Sequence, residues 1–126
     1  MPPMSEAKTE ERTYQGGCHC GAVKYRVTMK LEGAVTCNCS ICHRTGTALA
    51  FAPAASFQLL AGEDHLTDYQ FGKKKIHHLF CRACGVRSFA RGVGRDGAPV
   101  VAINVRCLDE VELAAVPQHH YDGRSV

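Results

Sequence analysis

The chain has 126 residues, which fits one domain. Its net charge of +3, with seven His counted as neutral, falls short of the strong basic field of a dedicated nucleic-acid binder. No stretch is long and apolar enough to span a membrane as a helix.

Residues 1–12, MPPMSEAKTEER, are polar and charged, without an apolar run or a cleavage-site pattern. They are predicted as a flexible tail ahead of a single domain over residues 13–126. The absence of a leader sets the expectation of a reducing, cytoplasmic setting. Gly16-Gly17 and Gly21 bracket Cys18-His19-Cys20 and predict a tight turn. Val23, Tyr25 and Val27 then alternate with Lys24, Arg26 and Thr28, the period of a half-buried strand.

Ala34 to Cys37 is a short apolar approach to a second cysteine cluster. Ser40 to Arg44 predicts a helical turn with Ser40 as its N-cap. Leu49 to Ala52 reads as a buried strand stopped by Pro53. Phe57, Leu59 and Leu60 continue the apolar content, and Gly62-Glu63-Asp64 makes a turn. Leu66, Tyr69 and Phe71 belong to further short strands. Lys73-Lys74-Lys75, the one run of like charge, reads as a solvated strand or turn. Ile76 to Phe80 leads into Cys81, and Pro99 to Val105, the most apolar run, predicts a central strand. Beyond Asp109 the pattern fades into a tail holding His119-His120-Tyr121. Many short strands and no long amphipathic helix make the expected class mainly β, of short antiparallel strands organised around zinc.

The zinc expectation comes from the cysteines. Eight Cys without a secretory leader read as metal ligands rather than disulfides. A core with no Trp and twelve Gly also gains from a metal. Cys81 and Cys84 have the Cys-x-x-Cys spacing that aims two thiolates at one ion. Pairing them with Cys18 and Cys20 gives a closed, structural four-thiolate zinc site. The remaining three, Cys37, Cys39 and Cys42, leave one zinc position open, as a catalytic zinc requires. Spacing leaves the reverse division open, with Cys81 and Cys84 joining the middle triplet. It also leaves open a closed second site completed by His43 or Cys107. Cys107, ending an apolar strand pattern, reads as a buried small hydrophobe. One of His77 and His78 is expected to face inward as a satisfied core residue. Arg44, Arg87 and Arg106 are candidates for pairing with substrate carboxylates.

Five segments resemble, in order, the glutathione-dependent formaldehyde-activating enzyme family. They are Gly17-Cys18-His19-Cys20-Gly21-Ala22-Val23-Lys24-Tyr25, Cys37-Asn38-Cys39-Ser40-Ile41-Cys42, His78-Leu79-Phe80-Cys81-Arg82-Ala83-Cys84-Gly85, Asn104 to Asp109, and His120-Tyr121-Asp122-Gly123-Arg124. The resemblance implies a mainly β fold shared with a zinc-binding partner of small GTPases. It implies two zinc ions per chain: a structural one at Cys18, Cys20, Cys81 and Cys84, and a second at Cys37, Cys39 and Cys42, open to water or the glutathione sulfur. The implied activity is a carbon–sulfur lyase type, joining a small aldehyde such as formaldehyde to a thiol such as glutathione. Nucleic-acid and membrane partners are not implied. The rival expectation is a non-enzymatic zinc-binding interaction module on the same fold, with a large exposed patch. The sequence carries no signal for the oligomeric state or the general base.

Overall fold

The computed structural model of the chain describes residues 11–73 and 75–125. The expected tail falls almost wholly outside the described residues, as does Lys74. Lys73 and Lys75, on either side of Lys74, are exposed.

The protein is mainly β, as the strand patterns predict. Strands β1 (Arg12–Gly17), β2 (Lys24–Met29) and β5 (Phe57–Ala61) form a three-stranded antiparallel sheet in the order β1-β2-β5. The second sheet has seven strands. They are β3 (Ala34–Cys37), β4 (Leu49–Pro53), β6 (Leu66–Tyr69), β7 (His77–Cys81), β8 (Phe89–Val93), β9 (Pro99–Asn104) and β10 (Gln118–Tyr121). Their spatial order is β10-β3-β4-β9-β8-β7-β6, so β9 is the middle strand, as its apolar run predicts. Every pairing is antiparallel except β10 with β3.

Strand alternation decides which face of each sheet enters the core. Val23, Tyr25 and Val27 are fully buried on the small sheet. Against them the large sheet turns Ala50, Ala52, Phe89, Val101 and Ile103 inward. Three rings, one each from β2, β5 and β8, join the layers: Phe57 and Phe89 lie 4.7 Å apart between centroids, and Tyr25 stands 5.2 and 5.6 Å from them. Such aromatic pairs add about 0.5–1.5 kcal/mol each beyond area burial. Tyr25 Oη donates to the Ser88 carbonyl at 3.1 Å, so its polar end is satisfied inside the core.

The other face of the large sheet is left uncovered by the small one. Cross-strand register sets Phe51, Ala102, Ala90, His78 and Tyr69 in one row across five strands. Two small residues therefore lie between bulky ones, and the row dips at its centre.

Helical structure is slight. The one α-helix among the described residues, α1, runs over Cys42–Thr45. Its N-cap position is Ile41, and no side chain caps it, so Ser40 does not play the capping part expected. Ser40 instead offers its carbonyl to Arg44 Nη1 at 3.1 Å. Among the described residues no helix is long and apolar enough to cross a membrane.

The fading pattern after Asp109 hides β10. Gln118, His119, His120 and Tyr121 are all exposed, so no alternation of apolar residues marks the strand. It is held by backbone pairing to β3, with Tyr121 opposite Cys37.

Candidate functional site

The cysteines gather into two groups. The sulfurs of Cys18, Cys20, Cys81 and Cys84 lie within 4.8 Å of one another, and so do those of Cys37, Cys39 and Cys42. Cys81 and Cys84 thus join the first pair and not the middle triplet. All eight cysteines are free thiols.

The first group sits where the two sheets meet. Cys18 and Cys20 come from the β1–β2 turn of the small sheet. Cys81 ends β7 and Cys84 sits in the β7–β8 turn of the large one. Gly85 holds φ at +78° and gives its N–H to the Cys81 carbonyl at 2.7 Å. A side chain there would be strained, so glycine lets the knuckle close. Cys18 and Cys20 sulfurs are 3.6 Å apart, and Cys20 and Cys81 sulfurs 3.7 Å. Zinc–sulfur bonds of about 2.3 Å in a tetrahedron require an edge of about 3.8 Å, so the spacing fits that ion.

The electrostatics of this group also fit a cation. The Val86 N–H, aided by the Cys20 backbone, brings the Cys84 thiol down to about 6. Cys20 receives an N–H from Ala22, yet the crowded sulfurs of Cys18 and Cys81 push it up to about 11. Four thiolates cannot share so small a volume without a positive charge between them.

The second group is built on one sheet only. Cys37 ends β3, Cys39 lies in the following loop, and Cys42 opens α1. Burial, with the charges of Cys39 and Cys37, raises the Cys42 thiol to about 12. Burial opposes ionisation of Cys39 too, but N–H and side-chain contacts from Cys42 and the Cys37 side chain outweigh it and lower its pKa. Three soft donors with one shared frustration again suit a thiophilic ion such as zinc.

The segment after β10 fastens this loop. Asn38 Nδ2 donates to Asp122 Oδ1 at 2.7 Å, and Asn38 Oδ1 accepts the Arg124 N–H at 2.9 Å. Gly123 lies so close that a Cβ on it would stand 2.6 Å from Cys37 Sγ. His43 is exposed on α1, outside the group. His120 Nδ1 pairs with Thr36 Oγ1 at 3.1 Å and is likewise outside it. Among the described residues the second group therefore holds three ligand side chains.

Cys107 is half-buried, outside both groups, with its thiol raised to about 11 by burial and by Cys18 and Cys84. Neither His77 nor His78 is a core residue, contrary to expectation. His77 Nδ1 bonds Asp68 Oδ2 at 2.7 Å near the surface. His78 stacks on Phe71 at 5.3 Å, and burial, then Arg87, lowers its pKa, which keeps the ring neutral.

The second group opens on a cavity of about 370 Å³ over the dip in the large sheet. Cys37, Cys39 and Cys42 line one end, Ala90 and Ala102 the floor, and Phe51 a wall. Of the three arginines singled out from sequence, only Arg87 lines it; Arg44 and Arg106 are exposed elsewhere. The cavity itself, made by residues from six strands, α1 and the loops between them, leaves no contiguous sequence signal.

Over residues 13–123 the sequence matches the family described as glutathione-dependent formaldehyde-activating enzyme. The fold is similar to the crystal structure of a Rhodobacter sphaeroides protein. That protein is 34% identical, with a TM-score of 0.73, over 83% of this chain and 99% of that one.

Proposed function

We propose, from the premise that this chain belongs to the glutathione-dependent formaldehyde-activating enzyme family, that it is a zinc-dependent enzyme of the carbon–sulfur lyase type. It joins a thiol such as glutathione to a small aldehyde such as formaldehyde, or runs the reverse. The observation that supports this reading best is the inequality of the two groups: four thiols in one, three beside a cavity in the other.

Cys18, Cys20, Cys81 and Cys84 would hold a structural zinc. Cys37, Cys39 and Cys42 would hold a second, leaving one tetrahedral position for a substrate. When bound, that second ion supplies the Lewis acidity that lowers the pKa of an entering thiol. Three anionic cysteines moderate its pull, so that the substrate sulfur stays nucleophilic. Asn38 and Gly123 keep the cysteine loop in place, and a mostly apolar cavity lies beside it. In the forward direction a sulfur–carbon bond forms, the carbonyl π pair moves to oxygen, and the thiol proton ends on that oxygen. A reducing, cytoplasmic setting would keep the eight thiols free.

The second reading, an interaction module on the same fold, draws on the exposed apolar side chains Phe51, Val93 and Tyr121. A three-thiol group with an adjoining cavity has no use in such a module, which favours the enzyme.

The test is exchange spectroscopy on labelled formaldehyde mixed with glutathione. Protein carrying two zinc ions per chain should speed exchange with S-hydroxymethylglutathione well above the spontaneous rate. No acceleration by fully loaded protein would remove the enzyme reading.

A further inference from the structure

The cavity suits neither of the two partners named for that reaction. Its floor is Ala90, Gly92 and Ala102, and its walls include Phe51, Phe71 and Ile76. Formaldehyde would leave nearly all of about 370 Å³ unfilled. Glutathione carries two carboxylates, an ammonium and two amides, and burying all of them on mostly apolar walls costs more hydrogen bonds than the few polar lining groups replace. No Asp or Glu lines the cavity to meet the ammonium.

Two arginines line it, Arg87 and Arg91, and Arg87 holds the position free for an anion. Arg87 is half-buried, with its guanidinium 5.4 Å from the Phe80 ring and 6.0 Å from that of Tyr69. Among the described residues it has no acidic partner. Its backbone is nailed down: Asn104 Nδ2 donates to the Arg87 carbonyl at 2.9 Å. The next carbonyl, Ser88, accepts from Tyr25 Oη and from the Asn104 N–H, both at 3.1 Å. Arg91 also lines the cavity, but its guanidinium is engaged over the Phe57 and Phe89 rings of the inner face, at 5.2 and 5.4 Å. The loop and turn on the other side of the three cysteines are polar and exposed, with His43, Arg44, Asp122 and Arg124. A peptide thiol finds matching groups there.

We infer that the cavity receives the carbonyl half of the substrate, an aldehyde with an apolar aryl or branched-alkyl body and a carboxylate that pairs with Arg87. This rests on the reading of Cys37, Cys39 and Cys42 as the reactive centre. The step is the same balanced addition: the thiol sulfur bonds to the aldehyde carbon, the carbonyl becomes a hydroxyl, and nothing is oxidised. The aryl or alkyl body lies on the alanine floor, and the guanidinium meets its anion without the loss of an existing ion pair.

Two readouts test this, the first of them independent of turnover. The first is calorimetric binding of 3-phenylpropanoate, an unreactive apolar carboxylate, to the zinc-loaded protein. The second is kcat/KM with glutathione and 3-phenylpropanal, 4-formylbenzoate or formaldehyde. Binding of 3-phenylpropanoate should be measurable. It should weaken on the order of tenfold or more in Ala102→Phe, which fills the floor, and in Arg87→Gln, which removes the cation. Phe51→Ser, at a side chain already 58% exposed and safe for folding, should weaken it less. Both bulky aldehydes should exceed formaldehyde in kcat/KM by on the order of tenfold. The advantage of 4-formylbenzoate should fall in Arg87→Gln.

Turnover of formaldehyde with no binding of 3-phenylpropanoate, and no gain for bulky aldehydes, overturns the inference and leaves the proposed function intact. Binding that responds to Ala102→Phe and Arg87→Gln, without turnover of any aldehyde, upholds the cavity assignment and sinks the proposed function. A dimer that dissociates on Phe51→Ser, with no binding of 3-phenylpropanoate, makes the face a contact between copies and also overturns the inference.

Discussion

The two cysteine groups share one chemistry and differ in what surrounds them. Cys18, Cys20, Cys81 and Cys84 join the small sheet to the large one, with Cys81 fully buried. Cys37, Cys39 and Cys42 hang from the end of β3, next to the edge strand of the large sheet, all half-buried, and face a cavity. A group that ties two layers together carries the fold. A group on an edge can change its fourth partner without disturbing the layers. On the proposed function, the two roles follow from how many elements depend on each cluster, not from its ligand type.

The sharpest way to break this comparison is Cys81→Ser set beside Cys39→Ala. Losing Cys81 should unfold the chain at 25 °C, because a structural zinc contributes on the order of 10 kcal/mol to folding. Circular dichroism and one-dimensional NMR would show it. Cys39→Ala should leave a folded chain with one zinc instead of two, a thermal midpoint within about 5 °C of the parent, and on the order of a thousandfold less turnover. An unfolded Cys39→Ala protein would make the two groups equals.

Gly123→Ala probes the second group from outside its ligands. A methyl would stand 2.6 Å from Cys37 Sγ and must displace it. The affinity for the second zinc should fall by about 10–100-fold, as for other changes that misalign ligands. The melting temperature should move little. Chelator competition followed by metal analysis separates the two ions.

The smallest effect is expected of Asn38→Ala, which removes two hydrogen bonds to the C-terminal segment. Each contributes about 0.5–1.5 kcal/mol at most, and both are exposed. Stability should drop by about 1 kcal/mol, with a few-fold weaker second zinc. A larger loss of the first zinc than of the second, in either variant, would show that the groups are coupled.

Much of the fold is legible in the chain itself. The alternation of Val23, Tyr25 and Val27 and the apolar run at Pro99 to Val105 mark two of the best-buried strands, because burial on one or both faces dictates composition. β10 is not legible. Its four residues are exposed and its stability comes from backbone bonds to β3, which any sequence can make. Ser40 misleads for a related reason: capping preference is weak, and the loop that carries Cys39 to Cys42 fixes where α1 begins. One of His77 and His78 reads as a core residue because an apolar strand surrounds them. Register places His78 instead on the uncovered face, and His77 bonds Asp68 near the surface.

The sequence by itself determined the kind of donor and its local clusters, Cys18 with Cys20, Cys37 with Cys39 and Cys42, and Cys81 with Cys84, because ligand chemistry is a property of residue type and short spacing. It also determined the mainly β class, through alternation. Only the tertiary structure decided which cysteines meet across roughly sixty residues of chain, since loop closure over that length is nearly independent of local sequence. The same holds for the cavity, whose floor and walls come from strands paired in space. Arg87 reads as one surface charge among several until Asn104 and Tyr25 fasten its backbone beside that floor.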